Sequence, residues 1–368
     1  MAAQKITPIT IRGWCFAALS TISICLLTLM IIPLHVGLSA GTASLSIVIF
    51  AGFMVTALFG LRYVTRAHPR FSILLIVGVL ASLVGLIYPQ LLMKQTADEH
   101  GVKLSFQPGQ YLRFSGNTSI LPTKTLIYKE TRDAQLKAAY YSPDQAKTER
   151  PSVVILHGGG WRYGNYLQTG EWPRILTQAG FNVISIQYRL SSETEPSWEK
   201  APRDVHDAMI YIHSNAAKLG IKQDAIHLMG QSAGGHLALL EAYREGGVAS
   251  AISLYAPIDL ELDYNTSIDK SAELNFIGST PQENPDRYRQ LSPSRYVTVR
   301  TPRTLIIQGQ RDDLVAEANA TVLAQKLADA SIEHRLILLP LTGHSFENQH
   351  GGLATQIAEQ AVVNFLND

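Results

Sequence analysis

The chain has 368 residues, long for one domain and sufficient for a sizeable core plus a smaller accessory region. Its 31 lysines and arginines balance 30 aspartates and glutamates, which argues against a nucleic-acid partner, since that would need a clustered basic surface. Only 17% of the residues are charged and mean hydropathy is slightly above zero, a bias that traces to the N-terminal region.

That region reads first. Uncharged apolar runs cover about 14–34, 43–61 and 71–93, each close to the roughly 20 residues that cross a hydrocarbon core at about 1.5 Å per residue. A charge at a helix centre costs about 2.5–3.5 kcal/mol, and no Asp, Glu, Lys or Arg stands between Arg12 and Arg62. The apolar region of a signal peptide, about 7–15 residues, is shorter than any of these runs. Three transmembrane helices in a membrane domain 1–94 are expected, with the lipid bilayer as partner. Lys5 and Arg12 precede the first run, and Arg62, Arg66 and Arg70 separate the second from the third. Positive residues favour the cytoplasmic side, so the N-terminus is expected in the cytoplasm. Three crossings then carry the rest of the chain outside it, with a bacterial inner membrane as the expected location. Cys15 and Cys25 are the only cysteines and both lie in the first run. The remaining chain can therefore hold neither a disulfide framework nor a cysteine zinc site.

Residues 95–120 read as a polar linker, and 121–368 as a second domain. Strand-like pieces fall at 125–128 and 136–141, followed by the apolar, β-branched run "SVVILH" at 152–157. After a glycine-rich turn come a helix near 172–179, a strand at 182–186 and an amphipathic helix over about 202–218. A strand at 226–229 then leads into a helix opened by Ser232. Further strands are expected at 249–254, 304–308 and 334–339, and helices at 316–330 and from about 352. This alternation predicts an α/β fold with a mostly parallel sheet covered by helices on both faces. Between about 260 and 300 it lapses into a Pro-, Asn- and Ser-rich insertion with one or two short helices. Insertions at this place lie at the C-terminal edge of such a sheet, where ligands bind, so a lid or substrate-contacting element is expected.

Chemistry gathers at the strand ends. Gly230-Gln231-Ser232-Ala233-Gly234 fits G-x-S-x-G between a strand and a helix, a turn that exposes a serine oxygen where the helix dipole favours negative charge. "HGGGW", residues 157–161, follows a buried strand, and its uncovered N–H groups suit an oxyanion hole. A generic glycine turn is the alternative. Gly159, Gly160 and Ala233 are the candidate donors, while His157, at a strand end ahead of the serine, reads as a structural imidazole. "GQRDDLV" brings Asp312 or Asp313, and "LTGHSF" brings His344, with His350 as a rival base. Ser232, Asp312 and His344 thus stand in the chain order nucleophile, acid, base.

"HGGGW", "YRL" at 188–190, "DVHDA" at 204–208, "GQSAGGHLAL", "APIDL", "GQRDDLV" and "GHSF" together resemble the α/β-hydrolase superfamily. Within it the chain is similar to the hormone-sensitive-lipase-like esterases and to feruloyl and acetyl-xylan esterases. The resemblance covers roughly 120–368. It implies the α/β-hydrolase fold, with Ser232 as nucleophile, His344 as general base then acid, and Asp312 orienting it. Gly159, Gly160 and Ala233 would be the oxyanion hole, and neither a cofactor nor a metal is implied. The implied activity is hydrolysis of a small-molecule, lipid or glycan carboxylic ester. A serine peptidase or amidase, or a catalytically silent binding module, would share the motifs. Gln231 departs from the acidic residue usual before the nucleophile in the lipase-like group, and "YRLSSE" departs from "YRLAPE".

Overall fold

The computed structural model describes residues 84, 87–105, 120–132, 135–143 and 149–368. The chain divides into two units, 1–95 and 96–368, and the elements below belong to the second. The expected spans at 14–34 and 43–61, and most of the one at 71–93, lie outside the described residues. Among the described residues no helix is long and apolar enough to cross a membrane.

Eight strands form one sheet: β1 (Lys124–Glu130), β2 (Gln135–Tyr141), β3 (Arg150–Leu156), β4 (Asn182–Ile186), β5 (Ile221–Gln231), β6 (Ser250–Leu254), β7 (Arg303–Gly309) and β8 (His334–Leu339). Their spatial order is β1-β2-β4-β3-β5-β6-β7-β8. Only the pairings of β2, with β1 and with β4, are antiparallel. Between the strands run α1 (Trp172–Gln178), α2 (Lys200–Ser214), α3 (Ala216–Leu219), α4 (Ala233–Arg244), α5 (Leu260–Thr266), α6 (Ser271–Ile277), α7 (Pro285–Leu291) and α8 (Glu317–Asp329), and α9 (Leu353–Asn367) follows β8.

Side chains alternate along a strand, and both faces of this sheet are buried. Val154 and Leu156 of β3, Leu228 of β5 and Ile306 of β7 pack with Val205 and Met209 of α2, Leu237 of α4 and Leu323 of α8. Their neighbours Val153, Ile155, Met229 and Leu305 are fully buried on the other face, where α1 and α9 meet each other and the sheet. A strand buried on both sides reads as a continuous apolar run rather than an alternating one, as "SVVIL" does. Helices on both faces of a mostly parallel sheet meet the α/β-hydrolase expectation. Register then brings the catalytic candidates together: Leu156 pairs with Gly230, Gln231 with Leu254 and Gly309 with Leu339. The loops after β3, β5, β7 and β8 therefore leave the sheet along one edge.

Several elements differ from the sequence reading. The amphipathic stretch at 202–218 is two helices, broken at Asn215. The strand expected at 226–229 begins at Ile221; its exposed Lys222, Gln223 and Asp224 mask the apolar signal. The insertion holds three α-helices and a 3-10 turn at Pro293–Arg295. Each helix has its own stop or start signal. The Asp259 side chain accepts from Leu262 N–H at 3.2 Å to cap α5, and that of Asn284 accepts from Arg287 N–H at 3.2 Å to cap α7. Gly278, in the left-handed conformation, ends α6. Within the 95–120 stretch, Gln356 and Gln360 of α9 bond both main-chain groups of Ser105 and Lys103, at 2.8–3.0 Å.

One buried carboxylate ties the front of the sheet together. Asp204 of α2 has no exposed surface and accepts from Arg189 through Nε and Nη2, each at 2.7 Å, from Arg189 N–H at 3.0 Å, and from Lys129 Nζ at 2.7 Å. Next to Arg189, the Tyr188 hydroxyl donates to His157 O at 2.8 Å, and its ring stacks on the His157 imidazole at 4.4 Å. The "YRL" and "DVHDA" motifs thus anchor the glycine loop after β3. Removing one partner of a buried pair leaves the other charge uncompensated, at about 3–5 kcal/mol. Asp204→Ala is expected to lower unfolding free energy by about 3 kcal/mol or more in denaturant titration. Asp207→Ala, which loses a more exposed contact to Lys129, should cost about 1 kcal/mol or less.

Candidate active site

Ser232 sits between β5 and α4 at φ 52°, ψ −123°, a backbone conformation that costs about 1–3 kcal/mol and persists only where neighbours enforce it. Its N–H donates to Leu254 O at 2.9 Å, and its carbonyl accepts from His236 N–H at 3.0 Å. The flanking glycines are required by contact. A Cβ on Gly234 would lie 2.3 Å from the carbonyl oxygens of Leu156 and His157, and one on Gly230 would lie 2.3 Å from Gly234 O. The turn is therefore pressed against the end of β3, and Ser232 is left only half-buried.

His344 follows β8, and its Nε2 is 3.0 Å from Ser232 Oγ. Its Nδ1 is 2.7 Å from Asp312 Oδ2. An Nδ1–H donated to the carboxylate leaves Nε2 to accept the serine hydroxyl. The Asp312 side chain is fully buried and its oxygens are occupied. Oδ1 accepts from the N–H groups of Leu314 and Val315 at 3.0 and 2.9 Å, and Oδ2 also accepts from Gln308 Nε2 at 3.1 Å. The rival residues stand apart from this line. Asp313 is bonded through its carbonyl, to Ile268 N–H at 3.4 Å, and His350 is buried beyond the residues that line the cavity.

The glycine loop lies directly against Ser232: a Cβ on Gly158 would be 3.5 Å from the serine Cβ. Gly159 has φ 114° and Gly160 φ 57°, and a Cβ on Gly159 would lie 2.2 Å from Tyr163 O. Neither glycine N–H, nor that of Ala233, donates a hydrogen bond among the turns and loops of the described residues. His157 is buried, its Nδ1 2.8 Å from Gly158 O, and burial pushes its pKa down to about 4. It is a neutral structural group.

Two clusters were not read from sequence. His236 of α4 is fully buried, and burial depresses its pKa to about 4. Its Nδ1 accepts from Trp161 Nε1 at 3.2 Å, and its Nε2 donates to Leu291 O at 2.7 Å, linking the glycine loop to α7. Beneath His344, Glu347 receives Gln231 Nε2 at 2.7 Å and the Tyr255 hydroxyl. The Tyr255 ring meets the His344 imidazole edge-on at 4.5 Å. Burial pushes the Glu347 carboxyl up, and its bonds from Tyr255 and Gln231 oppose this. The residue before the serine, the aromatic wall of the imidazole and the histidine loop thus share one buried acid.

Ser232, His344, Tyr255 and the glycine loop line a cavity of about 570 Å³, completed by Asp263, Ser267, Ala272 and Glu273 of the insertion. Among the described residues no cluster of three or more His, Cys, Asp or Glu side chains could hold a metal ion.

Two curated relatives from Mycobacterium tuberculosis are both named as esterases. LipC is 27% identical over 256 residues, covering 64% of this chain and 62% of LipC. LipQ is 27% identical over 282 residues, covering 70% of this chain and 64% of LipQ. The chain thus spans a little under two thirds of the length of each. Among solved structures, a truncated carbohydrate esterase from gut microbiota is 25% identical with a TM-score of 0.59, covering 69% of this chain and 98% of its own. The apo form of Thermogutta terrifontis esterase 2, at 20% identity and a TM-score of 0.54, covers 69% of this chain and 93% of its own, a likeness of fold. The BD-FAE family model matches residues 139–327, more than half of the sequence, and the chain belongs to that family.

Proposed function

We propose that the protein is a serine carboxylesterase that works through an acyl-enzyme. Ser232 is the nucleophile, His344 the general base and then acid, and Asp312 the group that fixes the imidazole tautomer and stabilises its cation. The observation that carries this reading is the continuous line Asp312 Oδ2–His344–Ser232 Oγ, at 2.7 and 3.0 Å, ending on a serine held in a strained turn. The esterase names of the relatives support the same class of reaction.

In the first half-reaction His344 Nε2 takes the hydroxyl proton as Ser232 Oγ attacks the ester carbonyl. The carbonyl oxygen becomes an oxyanion, received by the N–H groups of Gly159, Gly160 and Ala233. Donors of this kind contribute about 2.7–4 kcal/mol each to the transition state, and they need no reorganisation because the turns that present them are fixed. His344 then returns the proton to the leaving alcohol. Water, activated by the same imidazole, releases the acid and restores the serine.

Ser232→Ala is expected to reduce hydrolysis of 4-nitrophenyl acetate by at least about a thousandfold, and Asp312→Asn by about ten thousandfold through the wrong histidine tautomer. Undiminished hydrolysis by purified Ser232→Ala protein would remove the assignment.

The uncharged runs at 14–34, 43–61 and 71–93 support a membrane anchor with the catalytic unit outside the cytoplasm, so that the enzyme meets lipid, envelope or imported esters. An alkaline phosphatase fusion after Lys94 should be active in a bacterial host; a silent fusion, with a reporter active only in the cytoplasm working at the same site, would reverse this topology.

A further inference from the structure

Three of the six non-glycine residues with positive φ among the described ones gather on one side of the cavity: Ser232 at 52°, Tyr255 at 41° and Ser345 at 54°. Such conformations survive only where their surroundings over-determine them. The side chain common to all three turns is Glu347, in the 3-10 turn Phe346–Asn348, three residues after His344. Its Oε1 receives Gln231 Nε2 at 2.7 Å, from the residue before Ser232, and the Tyr255 hydroxyl, from the residue after β6. The side chains of Gln231 and Ser345 hydrogen-bond with that hydroxyl in turn. Gln231, Tyr255 and Glu347 are all buried. The Tyr255 ring meets the His344 imidazole at 4.5 Å and the Phe346 ring at 5.1 Å. Phe346 O accepts from Thr355 Oγ1 at 2.8 Å, which fastens the turn to the start of α9.

We infer that Glu347 is a positioning residue for the Ser232–His344 pair, setting the serine through Gln231 and the imidazole through Tyr255, an inference that rests on the esterase reading of this cavity. The 3.0 Å between His344 Nε2 and Ser232 Oγ joins residues 112 positions apart in the chain. A misplacement of about 1 Å between reacting groups can cost about a hundredfold in rate. Asp312, bonded at Nδ1, fixes the tautomer of the ring but not its tilt. Tilt needs a wall, and Tyr255 is a wall whose own place is set by its hydroxyl. Without Oε1 the Gln231 amide and the Tyr255 hydroxyl both lose a buried acceptor, and each must turn to find another. The rival account is a purely structural acid, whose loss lowers stability and leaves the folded molecules as reactive as before.

The test is the second-order rate constant for labelling of the full-length protein by a fluorophosphonate, which loses fluoride to an activated serine oxygen. That constant does not depend on how much of the sample is folded, so a loss of stability alone leaves it unchanged. Glu347→Ala is expected to label about a hundredfold more slowly, with kcat per titrated site for 4-nitrophenyl acetate falling in step. Glu347→Gln keeps an acceptor oxygen in place and should stay within about tenfold of the unaltered protein. Tyr255→Phe and Gln231→Leu each cut one leg and should each cost about tenfold. Neither should slow Glu347→Ala further. A Glu347→Ala constant equal to that of the unaltered protein, a Glu347→Gln constant as low as that of Glu347→Ala, or losses that multiply in the double variants would overturn the inference. If Glu347→Ala does not fold, unchanged constants for Tyr255→Phe and Gln231→Leu overturn it as directly. Labelling at Ser232 without hydrolysis of any ester would remove the esterase reading, while the labelling constants still decide the role of Glu347.

Discussion

Between the α-carbon of Gly234 and the carbonyl oxygens at the end of β3 there is no room for a methyl group. The catalytic geometry follows from that closeness. Because α4 starts hard against β3, the chain leaving β5 must turn within one residue, and that residue is Ser232 in a strained positive-φ conformation. The same closeness brings the glycine loop after β3 against the serine, so the proposed nucleophile and the proposed N–H donors are set by one packing constraint. Parallel register supplies the rest, since β7 and β8 end in step at Gly309 and Leu339 and their loops deliver Asp312 and His344 to the same edge.

Strain of this kind needs rigid surroundings, and the polar groups beneath the site supply them. Asp204 fixes Arg189 and hence the Tyr188–His157 stack. Glu347 joins the elbow to the histidine loop, and His236 joins the glycine loop to the insertion. Each is buried, and each is costly if left unsatisfied. Together they restrict the serine, imidazole and N–H donors to one arrangement, which is what pre-organised electrostatic stabilisation requires. The insertion also forms part of the cavity wall, through Asp263, Ser267, Ala272 and Glu273.

Local signals were the legible ones. Short apolar runs marked β3, β4 and β8, and G-x-S-x-G between strand and helix marked the turn at Ser232. The candidate acid and base, Asp312 and His344, were placed in loops just past strand ends, in the order one sheet edge would collect them. What stayed illegible was partnership at long range. Gln231 looked like a departure from a motif, and its meaning lies in Glu347, 116 residues away. Asp263 and Glu273 sit in a segment without periodicity, where caps rather than amphipathic pattern define three helices. Polar residues on an exposed strand start hid the first half of β5. The membrane expectation comes from the composition of runs that lie mostly outside the described residues.

The central claim is that one strained serine, paired through His344 to a buried aspartate, is the nucleophile. Peptide mapping after treatment with a fluorophosphonate tests it most directly, because the reagent records which oxygen is activated. The account predicts a single adduct, on the peptide that contains Ser232, and its loss in His344→Ala. An adduct on a different serine, or full labelling of the His344→Ala protein, would contradict it.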